Sequence, residues 1–132
     1  MGYTIDVIKS RIFIDKSHFS DICNAIGNIP NRLSWTDKDT ISRLCKENNI
    51  TGLFEELMWL PNFENGNITS LEYDAPDKKI GDEELWMEAI APFVESGSYI
   101  EIIGEDGDMW RWCFTDGKFS IIRPEITWEQ TE

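Results

Sequence analysis

Residues 99–122 read YIEIIGEDGDMWRWCFTDGKFSII. Two short alternating runs of apolar and polar residues flank Asp116-Gly117, and both of those residues tolerate positive φ, the requirement of a two-residue hairpin turn. The pattern predicts a strand over 98–103, a turn at 104–108, a second strand over 109–115 and a third over 119–123. Because strand side chains alternate between faces, Trp110, Trp112 and Phe114 share one face while Met109, Arg111 and Cys113 share the other. The expectation is a C-terminal antiparallel meander, hence an antiparallel sheet covered by whatever helices the rest of the chain supplies.

Those helices are legible upstream. Phe19, Ile22, Cys23 and Ile26 follow the i, i+3, i+4, i+7 spacing of an amphipathic helix, with Ser17 as its cap and Gly27 as its stop. Thr36-Asp37-Lys38-Asp39 resembles a capping box with a shorter acid, ahead of Ile41, Leu44 and Cys45. Thr51 is expected to cap a further helix through Leu53, Phe54, Leu57, Met58 and Leu60, ending against Pro61. Asp82 is expected to cap the clearest helix, with an apolar stripe of Leu85, Trp86, Ala89, Ile90 and Phe93 and with Pro92 stopping or kinking it. Residues 3–14 read as one long or bent strand, NFENGN at 62–67 as a turn, and Ile68–Tyr73 as a strand. The fold class expected is α+β: the C-terminal meander plus an N-terminal strand, packed on several short helices as one domain over 1–132.

The 132 residues suit a single core, and 41% hydrophobic with 12% aromatic content is too apolar for a disordered acidic chain. No apolar run reaches the roughly 18 residues of a membrane span. The first residues lack a basic segment and a cleavage site, which argues against secretion. Cys23, Cys45 and Cys113 lie far apart without C-x-x-C spacing and read as buried thiols in a reducing cytoplasm rather than as a zinc site.

The net charge of −13 is unevenly spread. Residues 1–66 carry 9 acids and 7 bases, whereas residues 67–132 carry 16 acids and 5 bases. Within 72–108 there are 12 acids against Lys78 and Lys79. Such a face repels nucleic acid and membrane surfaces and favours a basic protein partner. The acids expected to be exposed on loops and at a helix start, and so to form the partner surface, are Asp82, Glu83, Glu84, Glu105, Asp106 and Asp108, followed by Asp74 and Asp77.

Other chemistry is weighed against a plainer account. The Trp110/Trp112/Phe114 stripe could stack a base or a sugar, but a core face explains it better. Arg111 is expected to form a cross-strand ion pair, with Glu101 or a neighbour of Arg123 as its partner. Glu105, Asp106 and Asp108 could ligate calcium, yet the ligand spacing of an EF-hand loop is missing, so no metal or other cofactor is expected. His18, the lone histidine, reads as solvated. No phosphate-binding loop, dinucleotide fingerprint, nucleophile elbow or zinc-protease motif occurs, and no catalytic residues are assigned.

GYTI at 2–5, IGDEELW at 80–86, AIAPFVESGSYIE at 89–101 and GEDGDMWRW at 104–112 resemble small acidic bacterial proteins associated with phages and mobile elements. The likeness leaves residues 28–66 unmatched and carries turn, cap and core residues only. It implies a small cytoplasmic protein that works by contact, including inhibitors of host defence systems. Function is therefore expected to be that of an anti-CRISPR-like inhibitor whose acidic face fills the nucleic-acid channel of a defence effector. An immunity protein against a cognate toxin, or a small-ligand binder or enzyme built on Trp110, Trp112 and Arg111, are the alternatives.

Overall fold

The computed structural model describes residues 4–29, 38–73, 83–125 and 128. The elements run β1 (Ile5–Arg11), α1 (Phe19–Gly27), α2 (Lys38–Lys46), α3 (Ile50–Glu56), β2 (Trp59–Glu64), β3 (Asn67–Tyr73), α4 (Glu83–Ile90), β4 (Ser98–Gly104), β5 (Met109–Thr115) and β6 (Lys118–Ile122). They make an α+β fold with a four-stranded antiparallel sheet ordered β1-β4-β5-β6 and a separate β2-β3 hairpin.

The C-terminal meander follows the sequence reading closely. Asp116 (φ 52°) and Gly117 (φ 77°) both occupy the left-handed region and join β5 to β6. Asn65 (φ 54°) and Gly66 (φ 83°) do the same between β2 and β3, the pairing of residue types a tight hairpin turn demands. Across the sheet Ile100 faces Trp112 and Ile102 faces Trp110. These residues, with Ser98 and Phe114, form the covered face, while Tyr99, Glu101, Met109, Arg111 and Cys113 lie on the other.

The core lies between that covered face and the helices, and an aromatic chain runs through it. Phe54 packs edge-on against Trp86 with centroids 5.8 Å apart, Trp86 against Trp59 at 6.2 Å, Trp59 against Trp112 at 6.1 Å and Trp112 against Trp110 at 6.0 Å. Around the chain pack Ile22 and Ile26 of α1, Leu53 of α3, Ile68 and Leu71 of β3, and Met87 and Ile90 of α4, all buried. The stripe of Trp110, Trp112 and Phe114 is therefore core.

Several local expectations are corrected. The helix expected to run to Pro61 stops at Glu56, because Met58 takes φ 71° and the chain turns into β2 at Trp59. Pro61 lies within β2, which tolerates it because each strand of a two-stranded hairpin is an edge. Asn49 rather than Thr51 caps α3, its side chain accepting from Gly52 N at 2.9 Å. Asp15 rather than Ser17 caps the turn before α1, accepting from Ser17 N at 2.9 Å. α4 ends at Ile90 and passes into a 3-10 turn, Ala91–Phe93, that holds Pro92. Its buried face is Glu83, Trp86, Met87 and Ile90, with Leu85 and Ala89 only half-buried. The N-terminal strand is bent, with a register shift between Val7 and Lys9, and Ile14 makes an antiparallel bridge to Ile68. Thr36 and Asp37 of the expected capping box, and Asp82 as a cap, lie outside the described residues.

Candidate functional site

The acids singled out from the sequence fall on separate elements. Glu105, Asp106 and Asp108 share the β4–β5 turn and are exposed. Glu84 is exposed in the first turn of α4. Asp74, Asp77 and Asp82 lie outside the described residues.

The turn is closely stitched. Gly104 N donates to Asp108 O at 2.8 Å and Gly107 N to Gly104 O at 2.9 Å, with Gly107 at φ 88°. Asp106 Oδ1 accepts from Asp108 N at 3.0 Å, an Asx turn that pins the aspartate to the backbone. Glu105 and Thr4 bond reciprocally: Glu105 N donates to Thr4 O at 3.0 Å, and Thr4 N donates to Glu105 Oε1 at 3.0 Å. Asp108 Oδ2 accepts from Arg123 Nη1 at 2.7 Å. Three exposed carboxylates thus sit on a short turn tied to β1 on one side and to the segment after β6 on the other.

Glu83 is a correction. It was expected at the surface with Glu84, but it is 5% exposed and its Oε2 accepts from Trp59 Nε1 at 3.3 Å. The reason is helical phase: Glu83, Trp86, Met87 and Ile90 occupy i, i+3, i+4 and i+7, so the acid lies on the stripe that faces the core. That spacing was present in the sequence, where a stripe begun at Leu85 concealed it. Tyr73 lies against Trp59 at 5.1 Å, and burial together with the negative charge of Glu83 pushes its hydroxyl up to about 12.

This predicts an alkaline limb of stability. The folded state holds the neutral phenol, whereas tyrosine in the unfolded chain ionises near pH ~10. The contribution of Tyr73 is full below pH ~10 and is lost as pH rises towards about 12. Burial beside Cys45 likewise pushes the Cys23 thiol up to about 12, so it adds to the same limb. In urea midpoints measured across this range, Tyr73→Phe is expected to fall less steeply than the parent. Parallel curves would show that the phenol titrates normally.

Two ion pairs lie on and beside β5. Glu101 and Arg111 are direct cross-strand partners, joined at 2.7 Å, with the Arg111 guanidinium 4.7 Å above the Tyr99 ring. Arg123, paired with Asp108, stands 6.0 Å above the Trp110 ring. Beside the two arginines lies an open groove of about 230 Å³, lined also by Met109, Trp110, Ile122 and Pro124. Both ion pairs are half-exposed, where such contacts contribute little to stability.

His18 Nδ1 lies 3.2 Å from Asp21 Oδ2 with both side chains partly exposed. The Cys45 thiol donates to Cys23 O at 3.2 Å. Among the described residues no group of three or more His, Cys, Asp or Glu side chains could hold a metal ion, and no helix is long and apolar enough to cross a membrane. Compared with protein-family models, curated proteins and solved structures, the chain has no match.

Proposed function

We propose that this chain is a protein-contact module whose acidic surface docks on a basic partner, in the manner of an inhibitor that fills the nucleic-acid channel of a bacterial defence effector. The observation that supports the reading is the β4–β5 turn. It presents Glu105, Asp106 and Asp108 to solvent on a turn held by five hydrogen bonds, within itself and to Thr4. Carboxylates fixed in this way lose little freedom on binding, so more of the charge attraction survives as affinity. Glu84 and Glu88, one turn apart and both exposed on α4, add a second acidic edge. Acids spaced on a rigid surface can replace phosphates in a basic channel. An immunity protein would use the same chemistry against a cognate toxin.

The groove beside Arg111 and Arg123 supports a second reading, a site for a small anionic ligand with an apolar body. Trp112 takes no part in it, being fully buried.

One experiment tests the acidic-surface reading. The protein is immobilised, exposed to bacterial lysate and washed in rising salt, and the captured proteins are identified. A basic protein is expected to be retained in low salt and released near ~0.5 M, where the screening length falls towards a few ångströms. A variant carrying Glu84→Lys, Glu88→Lys, Glu105→Gln and Asp106→Asn keeps the turn acceptors but lowers the charge. It is expected to retain the same partner about tenfold less well, equivalent to about 1.4 kcal/mol. Equal retention by the folded variant overturns the acidic-surface reading.

A further inference from the structure

The four-stranded sheet ends in β1 on one side and in β6 on the other. The β1 edge is guarded. Its register shifts between Val7 and Lys9, it carries Asp6, Lys9 and Arg11, and Ser10 Oγ accepts from Leu71 N of β3 at 2.9 Å. β6 has none of these devices. It pairs with β5 without a register shift, and Lys118 is the only charge between 118 and 122. Ile121 and Ile122 stand 41% and 53% exposed. A bare apolar strand edge invites pairing with another strand, which is why natural sheets guard their edges with bulges, charges or proline.

The hairpin turn fixes which backbone groups are bare. Around a two-residue turn the flanking residues, Thr115 and Lys118, exchange hydrogen bonds, and bonded pairs then recur at every second position. Cys113–Ser120 and Arg111–Ile122 are the next bonded pairs, so the N–H and C=O groups of Phe119 and Ile121 point away from β5. No backbone bond reaches them from another element among the described residues. Charge narrows the partner. Arg111 and Arg123 are neutralised by Glu101 and Asp108, which leaves Asp116 and Lys118, one of each sign, at this edge. On a chain of net charge −13 the edge is locally neutral and apolar, and it offers a basic protein no attraction. It does match itself. Antiparallel pairing centred on Ser120 sets each Phe119 opposite Ile121 of the second copy, apolar against apolar, and bonds every bare N–H and C=O of the two residues.

We propose that β6 is a self-pairing edge, through which two copies of the chain join their four-stranded sheets into one about a two-fold axis at Ser120. The proposal goes beyond the acidic-surface reading and does not depend on it. In this register Ser120 faces its own counterpart in a non-hydrogen-bonded pair, where side chains come closest. The contact is small, so the dimer is weak, with a dissociation constant on the order of 0.1 mM. Both copies carry the same net charge, so their long-range repulsion is relieved by salt. Self-pairing therefore tightens as salt rises, opposite to capture of a basic partner.

Sedimentation equilibrium of the full chain tests this from about 10 μM to about 1 mM. The mass is expected to rise from 15.3 kDa towards twice that value, and at lower protein concentration when salt is added. Ser120 is exposed, so Ser120→Lys and Ser120→Glu leave the fold intact. Each is expected to weaken self-association about fivefold, because like charges then meet across the axis. An equal mixture of the two is expected to associate at least as tightly as the parent. Ile121→Pro deletes an outward N–H that β5 does not use, and is expected to weaken association at least about tenfold. Should that variant fold poorly, the Ser120 pair still decides. A chain that stays monomeric at about 1 mM overturns the proposal. So does a dimer that both Ser120 variants leave unchanged, or that their mixture fails to restore. Every acid stays in place in Ser120→Lys and Ile121→Pro, so capture of a basic protein succeeds or fails separately.

Discussion

Truncating Trp86 to alanine is expected to lower the stability of the folded chain by about 3–5 kcal/mol, the cost of deleting a large buried aromatic whose cavity collapses only in part. A domain of this size has about 5–15 kcal/mol in total, so the variant approaches the unfolding threshold at body temperature. Trp112→Ala is expected to cost a similar amount. The double variant is expected to fall short of the sum, because both rings pack on Trp59 and removing one already loosens the other's partner. A finer contrast separates the indoles. Trp112 Nε1 is buried with no hydrogen-bond partner among the described residues, whereas Trp59 Nε1 donates to Glu83. Trp59→Phe therefore removes a bond to a buried carboxylate and is expected to be more damaging than Trp112→Phe by about 1–3 kcal/mol. Urea denaturation with a fixed m-value measures all five variants, and equal costs for the two phenylalanine substitutions would remove Glu83 from the energetics of the core.

The second large effect concerns Glu83 itself. Glu83→Lys places an ammonium in a buried site where the indole N–H of Trp59 already points, and the expected loss is on the order of 3–5 kcal/mol. Glu84→Lys, one residue on and exposed, is expected to change stability by less than about 0.5 kcal/mol. Two neighbouring glutamates thus sit in opposite environments, one holding the core and the other exposed to solvent. Thermal melts of the two single variants settle it: similar midpoints would show that Glu83 is at the surface after all. Charge reversals designed to probe binding need to leave Glu83 untouched.

How far these features could be read in advance depended on whether their causes were local. The meander was legible because Asp116-Gly117 accepts two positive φ angles and its flanks alternate. The packing of α1 was legible because Ile22, Cys23 and Ile26 recur at helical spacing. β2 was missed because the run from Leu53 to Leu60 is apolar enough for a helix, and a methionine in left-handed conformation at 58 carries no warning. The burial of Glu83 was available in the phase of Trp86, Met87 and Ile90, but a charged residue weighs against its own inclusion in an apolar stripe. The bridge from Ile14 to Ile68 had no local signal at all, since the two residues meet only through the tertiary fold. The acids of the β4–β5 turn were correctly expected to be exposed, while their bonds to Thr4 and Arg123 join residues too distant in sequence for any window to reveal.

The pairing of β1 with β4 brings Arg11 beside Tyr99 and Ile5 beside Gly104. β1 is thus inserted beside a strand made much later, and every described helix and the hairpin lie in the loop that this pairing closes. During synthesis β1 waits with both edges bare until β4 has left the ribosome, whereas β4, β5 and β6 pair with immediate neighbours. Non-local closure of this kind slows folding, since chain entropy is lost before the contacts form. Folding speed should accordingly be limited by capture of the N-terminal strand onto a meander already in register. A circular permutant that places β1 directly before β4 would shorten that search, and the same sheet should then assemble faster from the same residues.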